Sequence, residues 1–272
     1  MLNTINGLIE RASATPEGYE KDGLIYCPNC HTPRQTVVTN PITGKTSKVG
    51  CVCKCRKEEM DAEAEAFKRR ERERRIAANR YGAFDESSFS GCTFDADDGL
   101  NPDALNKARK YADNFGRFLE RGHGLLLFGN VGTGKTFYAA CIANHLLKEG
   151  RTVKMTKFPT LIAKMQSEGF KTDFIKALAG YDLLIIDDLG VERDSAYMQE
   201  QVYTIIDARY SAGKPIIVTT NLSADELRNP RDMNAQRIYG RIMERCLPIE
   251  FKGGDKRRLN ACHKEMLEVL NG

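Results

Sequence analysis

Residues 129–136 read Gly129-Asn130-Val131-Gly132-Thr133-Gly134-Lys135-Thr136. A glycine, any four residues and then Gly-Lys-Thr is the pattern of a phosphate-binding loop. The flanks agree with it. Leu125, Leu126, Leu127 and Phe128 make the short apolar run of a buried strand. From Phe137 to Lys148 apolar residues recur at helical spacing, up to the stop signal Gly150. Each residue type in the loop has a task. Gly129, Gly132 and Gly134 permit positive φ and bring bare N–H groups up to a phosphate. A helix beginning near Lys135 turns its positive end to the same group. Lys135 is placed to reach β and γ oxygens of a nucleoside triphosphate, and the Thr136 hydroxyl to bind Mg²⁺.

Downstream, strand and helix patterns alternate. A strand is expected at 153–156, helices at 158–168 and 171–179, and a strand at 182–187. A helix at 196–212, a strand at 214–220, a helix at 231–245, a strand at 247–251 and a helix at 258–270 follow. Upstream, a single helix is expected from Pro102 to Leu119. Unbroken apolar strands between helices argue for a parallel sheet covered on both faces. Two strand ends carry chemistry. Leu183-Leu184-Ile185-Ile186 ends in Asp187 and Asp188, a Walker B pattern in which Asp187 holds the Mg²⁺ of a bound nucleotide. Ile216-Ile217-Val218-Thr219-Thr220 ends in Asn221, which either positions water against a γ-phosphate or begins a turn. Arg237, Arg241 and Arg245 follow at i, i+4, i+8 on one helical face, as a phosphate-binding row or as a solvated face.

Upstream of the loop lies a different kind of sequence. Cys27-Pro-Asn-Cys30 and Cys51-Val-Cys53-Lys-Cys55 flank a polar, β-rich span with a turn at 40–44. Two cysteine clusters joined by a hairpin-like span read as a zinc ribbon. Cys27 and Cys30 are ligands, with Cys53 and Cys55 favoured from the second cluster, Cys51 as the alternative and His31 as a weaker one. A redox CxxC wants a βαβ context that is missing here. Residues 56–80 are strong helix formers with no Gly or Pro, acidic first and basic later. Glu65 with Arg69 and Glu71 with Arg75 are spaced for i, i+4 pairs. Met60, Phe67 and Ile76 are too few to form a buried face, so a solvated linker helix is expected, with a DNA-binding basic helix as the alternative. A short helix at 3–12 is possible on its N-cap residues.

Composition narrows the class. The 272 residues carry a net charge of only +4, which permits a nucleic-acid partner without arguing for one. No apolar run is long enough to span a membrane, and the first residues lack a basic n-region, so a cytoplasmic protein with no membrane partner is expected. In a reducing compartment nine cysteines are not half-disulfides, and Cys141 reads as a small apolar residue in the helix after the loop.

Taken together, the GNVGTGKT loop, the IIDDLG strand, the TTN strand, the RIYGRI helix and the closing FKGGDKR resemble the AAA+ helicase loaders of the DnaC/DnaI type. IstB-type transposition ATPases are close relatives of these. The resemblance covers about residues 90–260 and extends more loosely to the cysteine-rich segment, which is similar to the helicase-binding module of some phage and Gram-positive loaders. It implies an α/β fold: an AAA+ P-loop NTPase domain (81–272) with a parallel sheet between helices, preceded by a small zinc-binding, helicase-interacting module (1–55) and a charged helical linker (56–80). It implies ATP, Mg²⁺ and Zn²⁺ as cofactors, and a DnaB-type helicase and single-stranded DNA as partners. By the same resemblance Asn221 is a sensor of the γ-phosphate and Arg257 a second sensor. Arg241 is the arginine finger that completes a neighbouring subunit's site and drives self-assembly. Ser195 and Tyr197 contact single-stranded DNA, a phosphate and a base respectively. Asp188 departs from the pattern, standing one methylene short of the Glu that polarises the attacking water, which predicts slow hydrolysis. Loading a hexameric replicative helicase is the first functional expectation, regulation of transposition the second. A small-molecule kinase would leave the cysteine module without a task, and a nucleotide-gated binding module with negligible turnover stays open through Asp188.

Overall fold

The computed structural model describes residues 18–99, 101–167, 171–190, 196–254, 266 and 269–270. The helix expected at 3–12, Ser195, Arg257 and all but three residues of the helix expected at 258–270 lie outside them. The chain divides into two compact units, 1–73 and 74–272.

The first unit is built from two hairpins and most of a long helix. Strands β1 (Tyr19–Lys21) and β2 (Leu24–Tyr26) pair antiparallel, as do β3 (Gln35–Thr39) and β4 (Thr46–Gly50). The β3–β4 connection is an Asx turn: the Asn40 carboxamide oxygen accepts the N–H groups of Ile42 and Thr43 at 2.9 and 3.1 Å, and Gly44 supplies φ 68°. Helix α1 (Lys54–Arg80) has no buried residue. Its sequence offers no apolar stripe, so it stays in water, as the solvated reading requires. The expected pairs Glu65–Arg69 and Glu71–Arg75 do not form; Arg69 turns the other way, to Glu73 at 3.9 Å. Both choices are i, i+4 contacts between exposed side chains, with little energy to separate them.

The second unit is an α/β domain. Its sheet is five parallel strands in the order β6 (Val153–Lys157), β7 (Leu183–Leu189), β8 (Ile216–Thr220), β5 (Gly124–Gly129) and β9 (Cys246–Phe251). Successive strand residues serve opposite faces. Leu125, Leu127, Leu183, Ile185 and Ile217 join one core, while Leu126, Leu184, Ile186, Ile216 and Val218 join the other. This is why these strands read as unbroken apolar runs. On the first face lie α2 (Pro102–Asp113), α3 (Phe115–Arg121) and α4 (Lys135–Lys148); on the second lie α5 (Phe158–Ser167), α6 (Lys171–Gly180), α7 (Ala196–Ser211) and α9 (Met233–Arg245), with the short α8 (Ala224–Arg228) before α9.

The helices depart from the sequence expectation at several points. The single helix expected to Leu119 breaks at Asn114, whose backbone sits at φ −110°, ψ 19°, and a second helix starts at Phe115, burying that ring. Helix α8 was not expected; a reciprocal capping box between Ser223 and Glu226 starts it, and α9 then begins after an Asp232 N-cap rather than at Arg231. Residues 82–99, rich in Gly, Ser and Asp, contain two 3₁₀ turns, Ser87–Gly91 and Phe94–Ala96. This segment is anchored at its start, where the Ala83 carbonyl accepts the Met155 N–H at 2.7 Å and Asp85 receives Lys154 and Lys164 at 2.7 Å each.

The chain enters the sheet at the interior strand β5, goes out to the β6 edge, returns through β7 and β8, and crosses to β9 on the other side. Strand order therefore reverses at β5, and the crevice at the carboxyl ends beside β5 is where an open α/β sheet receives a ligand.

Candidate functional site

The turn that leaves β5 is fixed by its glycines. Gly129 has φ 121°, and a Cβ there would lie 2.4 Å from the Phe251 carbonyl oxygen on β9, so no side chain fits. Gly132 and Gly134 have φ 75° and 97° and carry the loop into α4. Thr133 holds the loop's own curvature by donating to the Asn130 carbonyl at 2.8 Å. The Lys135 ammonium is folded onto the loop, donating to the carbonyls of Gly129 and Asn130 at 2.9 and 2.6 Å. Lys135 is nearly buried, so this cation is held against the loop.

The facing carboxylate comes from β7. Asp187 Oδ1 accepts the Thr136 hydroxyl at 2.8 Å and the Thr219 hydroxyl at 2.6 Å. Its Oδ2 is buried with no hydrogen-bond partner. Burial pushes the Asp187 pKa up, against the two hydroxyls that lower it. An orphaned buried carboxylate oxygen beside a threonine hydroxyl fits a hard divalent cation with oxygen ligands, so Thr136 and Asp187 are fit to hold Mg²⁺. Thr219 escaped sequence reading, because a threonine inside an apolar strand carries no signal until its cross-strand neighbour is known.

Asp188 sits where the strand loses regularity. The β7–β8 register shifts between Ile186 and Leu189, and Asp188 takes φ 56°, an uncommon conformation for a residue with a side chain. The shift turns Asp188 toward the cavity that the phosphate loop and Asn221 also line. The Asp188 N–H donates to Thr219 Oγ1 at 2.9 Å. The Asn221 amide stands 3.5 Å from the Asp188 carboxylate, the outer limit of a hydrogen bond. Lys135, Thr136, Asp188 and Asn221 thus face one cavity, with Asp187 at its base.

The arginine row lies elsewhere, on α9 against α7. Arg237 stacks over the Tyr203 ring at 4.2 Å, Arg241 over Tyr210 at 4.2 Å and Arg245 over the same ring at 4.7 Å. Arg241 also pairs with Asp207 at 3.4 Å, and Arg245 donates to the Arg121 carbonyl at 3.1 Å. The row is therefore neither plainly solvated nor part of this chain's own phosphate cavity: its guanidiniums lie on tyrosine faces, an arrangement suited to arginine. Tyr197 is an exposed residue in the first turn of α7.

In the first unit, the Sγ atoms of Cys27, Cys30, Cys53 and Cys55 all lie within 4.8 Å of one another, with Cys55 3.5 Å from both Cys27 and Cys53. A tetrahedral zinc with Zn–S of about 2.3 Å needs sulfurs roughly 3.8 Å apart, so the four thiols fit that ion. The turn after β2 supplies the first pair; the residue before α1 and its first turn supply the second. Cys51 is outside the group, with its thiol 3.4 Å from the Pro33 carbonyl. His31 is outside it too, 3.2 Å from the Tyr19 hydroxyl. The thiols share protons unequally. The Thr32 hydroxyl holds Cys30 down to about 5, while the Cys53 thiol pushes Cys55 up to about 12.

A parallel α/β sheet with this loop, helix and facing carboxylate defines a P-loop nucleotide-binding domain. The family model described as IstB-like ATP binding protein matches residues 59–263, and the chain belongs to that family. "Replicative helicase loader DnaC" of Escherichia coli (strain K12) is 31% identical over 129 residues, 46% of this chain and 51% of that protein. "Replicative helicase loader DnaI" of Bacillus subtilis (strain 168) is 27% identical over 185 residues, 61% of this chain and 58% of that protein. The chain thus spans about half the length of the curated relatives it matches. Among solved structures, one titled "Crystal Structure of the DnaI" superposes with TM-score 0.53 at 26% identity, over 64% of this chain and 95% of that one. "Crystal structure of the DnaC helicase loader" gives 0.52 at 29%, over 61% and 100%. Among the described residues no helix is long and apolar enough to cross a membrane.

Proposed function

We propose that this chain is an ATP-dependent loader that delivers a hexameric, DnaB-type replicative helicase to single-stranded DNA in the cytoplasm. The observation that carries the reading is the joint one: a phosphate loop wired through Thr136 to Asp187, in a chain whose curated relatives include proteins named as replicative helicase loaders. In this reading the loop N–H groups and Lys135 hold the triphosphate. Mg²⁺ held by Thr136 and Asp187 would supply charge neutralisation to the triphosphate. Asp188 orients and deprotonates the attacking water, and Asn221 holds Asp188 and that water in line. Asp188 is a short base at the edge of hydrogen-bond range from Asn221, so turnover by the chain alone is slow.

Arg241 completes the site of a neighbouring copy, and Arg257 senses the γ-phosphate within its own chain. Ser195 and the exposed Tyr197 meet the DNA strand, the tyrosine by stacking on a base. The module 1–55 holds zinc through Cys27, Cys30, Cys53 and Cys55 and grips the helicase. The linker 56–80 joins it to the ATPase domain 81–272. With few buried side chains of its own, the module depends on the metal for its fold.

A transposition regulator is the second reading, favoured by the family's IstB-like description. Affinity capture on the full-length chain in the presence of ATP separates the two. Recovery of a ring helicase, lost when the four module thiols are replaced by serine, supports the loader. Recovery of a transposase without helicase would give the second reading its place.

A further inference from the structure

A second concavity lies at the other end of the sheet. It encloses about 940 Å³ beside Gly124 and Leu125, which begin β5, and Cys246 and Leu247, which begin β9. At about 3.3 Å per residue, β5 sets it roughly 16 Å from the phosphate loop. That is about two screening lengths in physiological salt, so its charges do not serve the nucleotide. Its helical wall is cationic. Lys107 and Lys110 stand i, i+3 on α2, and Arg117 and Arg121 stand i, i+4 on α3, so each pair shares a helical face. All four residues are exposed. Among the described residues none of the four side chains has an ion-pair partner, whereas Arg109 on the same α2 pairs with Asp95 at 3.2 Å. Arg245 also borders the concavity but is committed, to the Tyr210 ring and to the Arg121 carbonyl. Of the carboxylates there, Glu244 accepts the Tyr210 hydroxyl at 2.6 Å, and Glu120 has no partner among the described residues.

Unpaired like charges on one helical face work against the helix that carries them. They offer a polyanion a set of sites with no ion pair to break. The apolar lining narrows the kind of polyanion. Tyr111, Leu125 and Ile249 are buried and Phe118 is half-buried, which leaves Leu247 as the one exposed apolar side chain. A protein partner wants a cluster of apolar anchors, and a stacked base wants an open ring; the concavity has neither. We propose that this wall binds the sugar–phosphate backbone of nucleic acid through Lys107, Lys110, Arg117 and Arg121, without reading the bases. The arginine forks match phosphate oxygens and the lysines act as point charges. Such contacts fix position and carry no sequence information, so single strands and duplexes are both bound. The wall is separate from Tyr197, which follows the carboxyl end of β7, at the opposite end of the same parallel sheet. The proposal does not depend on the reading of the chain as a helicase loader.

The test is fluorescence anisotropy of short labelled single strands and duplexes of mixed sequence, titrated with the full-length chain over a range of salt. The main variant carries Lys107→Ala, Lys110→Ala, Arg117→Ala and Arg121→Ala together. A control carries Lys148→Ala, Lys176→Ala, Arg228→Ala and Lys252→Ala, the same change of charge elsewhere. Each phosphate contact contributes about 0.9 to the slope of log affinity against log salt on duplex, and about 0.7 on single strands. The main variant should therefore lose roughly 3 from the slope on both forms and bind at least about tenfold more weakly at low salt. Its ATP affinity should match the parent's, which shows the domain folded. Lys110→Ala and Arg117→Ala singly should each lower the slope by about 1, and Glu120→Gln should tighten both complexes. Parental affinity and slope in the main variant overturn the proposal. Equal losses in the control overturn it too, since net charge alone then explains them. A loss confined to single strands gives the wall to the bases and not to the backbone. Unchanged nucleic-acid binding with an altered oligomeric state in sedimentation gives it to a second copy of the chain, and the proposal fails.

Discussion

Asp187 is where the demands of folding and of function conflict. One of its oxygens satisfies two hydroxyls while the other is buried and unpaired. A buried ionised oxygen without a partner costs free energy in the nucleotide-free chain. Asp187→Asn is therefore expected to raise the melting temperature of the nucleotide-free protein by a few degrees, on the order of 1 kcal/mol. The same variant should lose Mg²⁺-dependent ATP turnover. Calorimetry and phosphate release measure the two halves. A destabilised variant with normal turnover would place the cation elsewhere. Single residues were unequally legible in the sequence. Lys135, Thr136 and Asp187 are legible because a loop pattern and a strand end bring them together on short tethers. Arg209 is not. It reads as one more surface cation on α7, yet it is among the largest fully buried side chains, donating to the carbonyls of Leu178, Ala179, Tyr181, Asp182 and Pro215. Its role is to gather carbonyls from the end of α6 and from the approaches to β7 and β8. Those partners lie in separate turns, and no pattern of spacing predicts where they meet.

At the scale of elements, the parallel strands were legible because both their faces are buried, so composition alone reveals them. Helix α8 was missed for the opposite reason: it depends on the single capping box of Ser223 and Glu226. The cysteine module lies between these cases. Spacing named the two clusters, and only the approach of the β2 turn to the start of α1 separates Cys51 from the other four thiols. Metal content therefore gives a graded expectation. The parent and Cys51→Ser should each carry about one zinc per chain, while Cys30→Ser and Cys55→Ser should lose it. Chelation should unfold the module and leave the P-loop unit folded, as two separate transitions in circular dichroism. Retention of zinc by Cys55→Ser together with its loss from Cys51→Ser would reassign the ligand set.

For the whole molecule, the question is whether one chain suffices. Nothing in its own cavity supplies a cation beyond Lys135 among the described lining residues, and the loose phosphoryl transition state gains on the order of a thousandfold from an added arginine. Arg241 and Arg245 share the face of Tyr210, outside that cavity. If the finger is Arg241, Arg241→Ala keeps ATP binding and loses turnover by about that factor, while Arg245→Ala loses far less. Mixing Arg241→Ala with Lys135→Ala should restore part of the activity, because intact fingers then meet intact cavities. A mixture that stays inactive, with parent turnover independent of protein concentration, would return the row to a purely structural role against α7.

Helicase loading itself is read most directly on closed circular single-stranded DNA, which a preformed ring can enter only if it is opened. The measurement is the amount of cognate hexameric helicase bound to such circles after incubation with ATP. The account predicts helicase on the circles when the full-length chain is present, and little with Lys135→Ala or without the chain. Equal helicase on the circles with and without the chain, under conditions where the chain binds ATP, would contradict it.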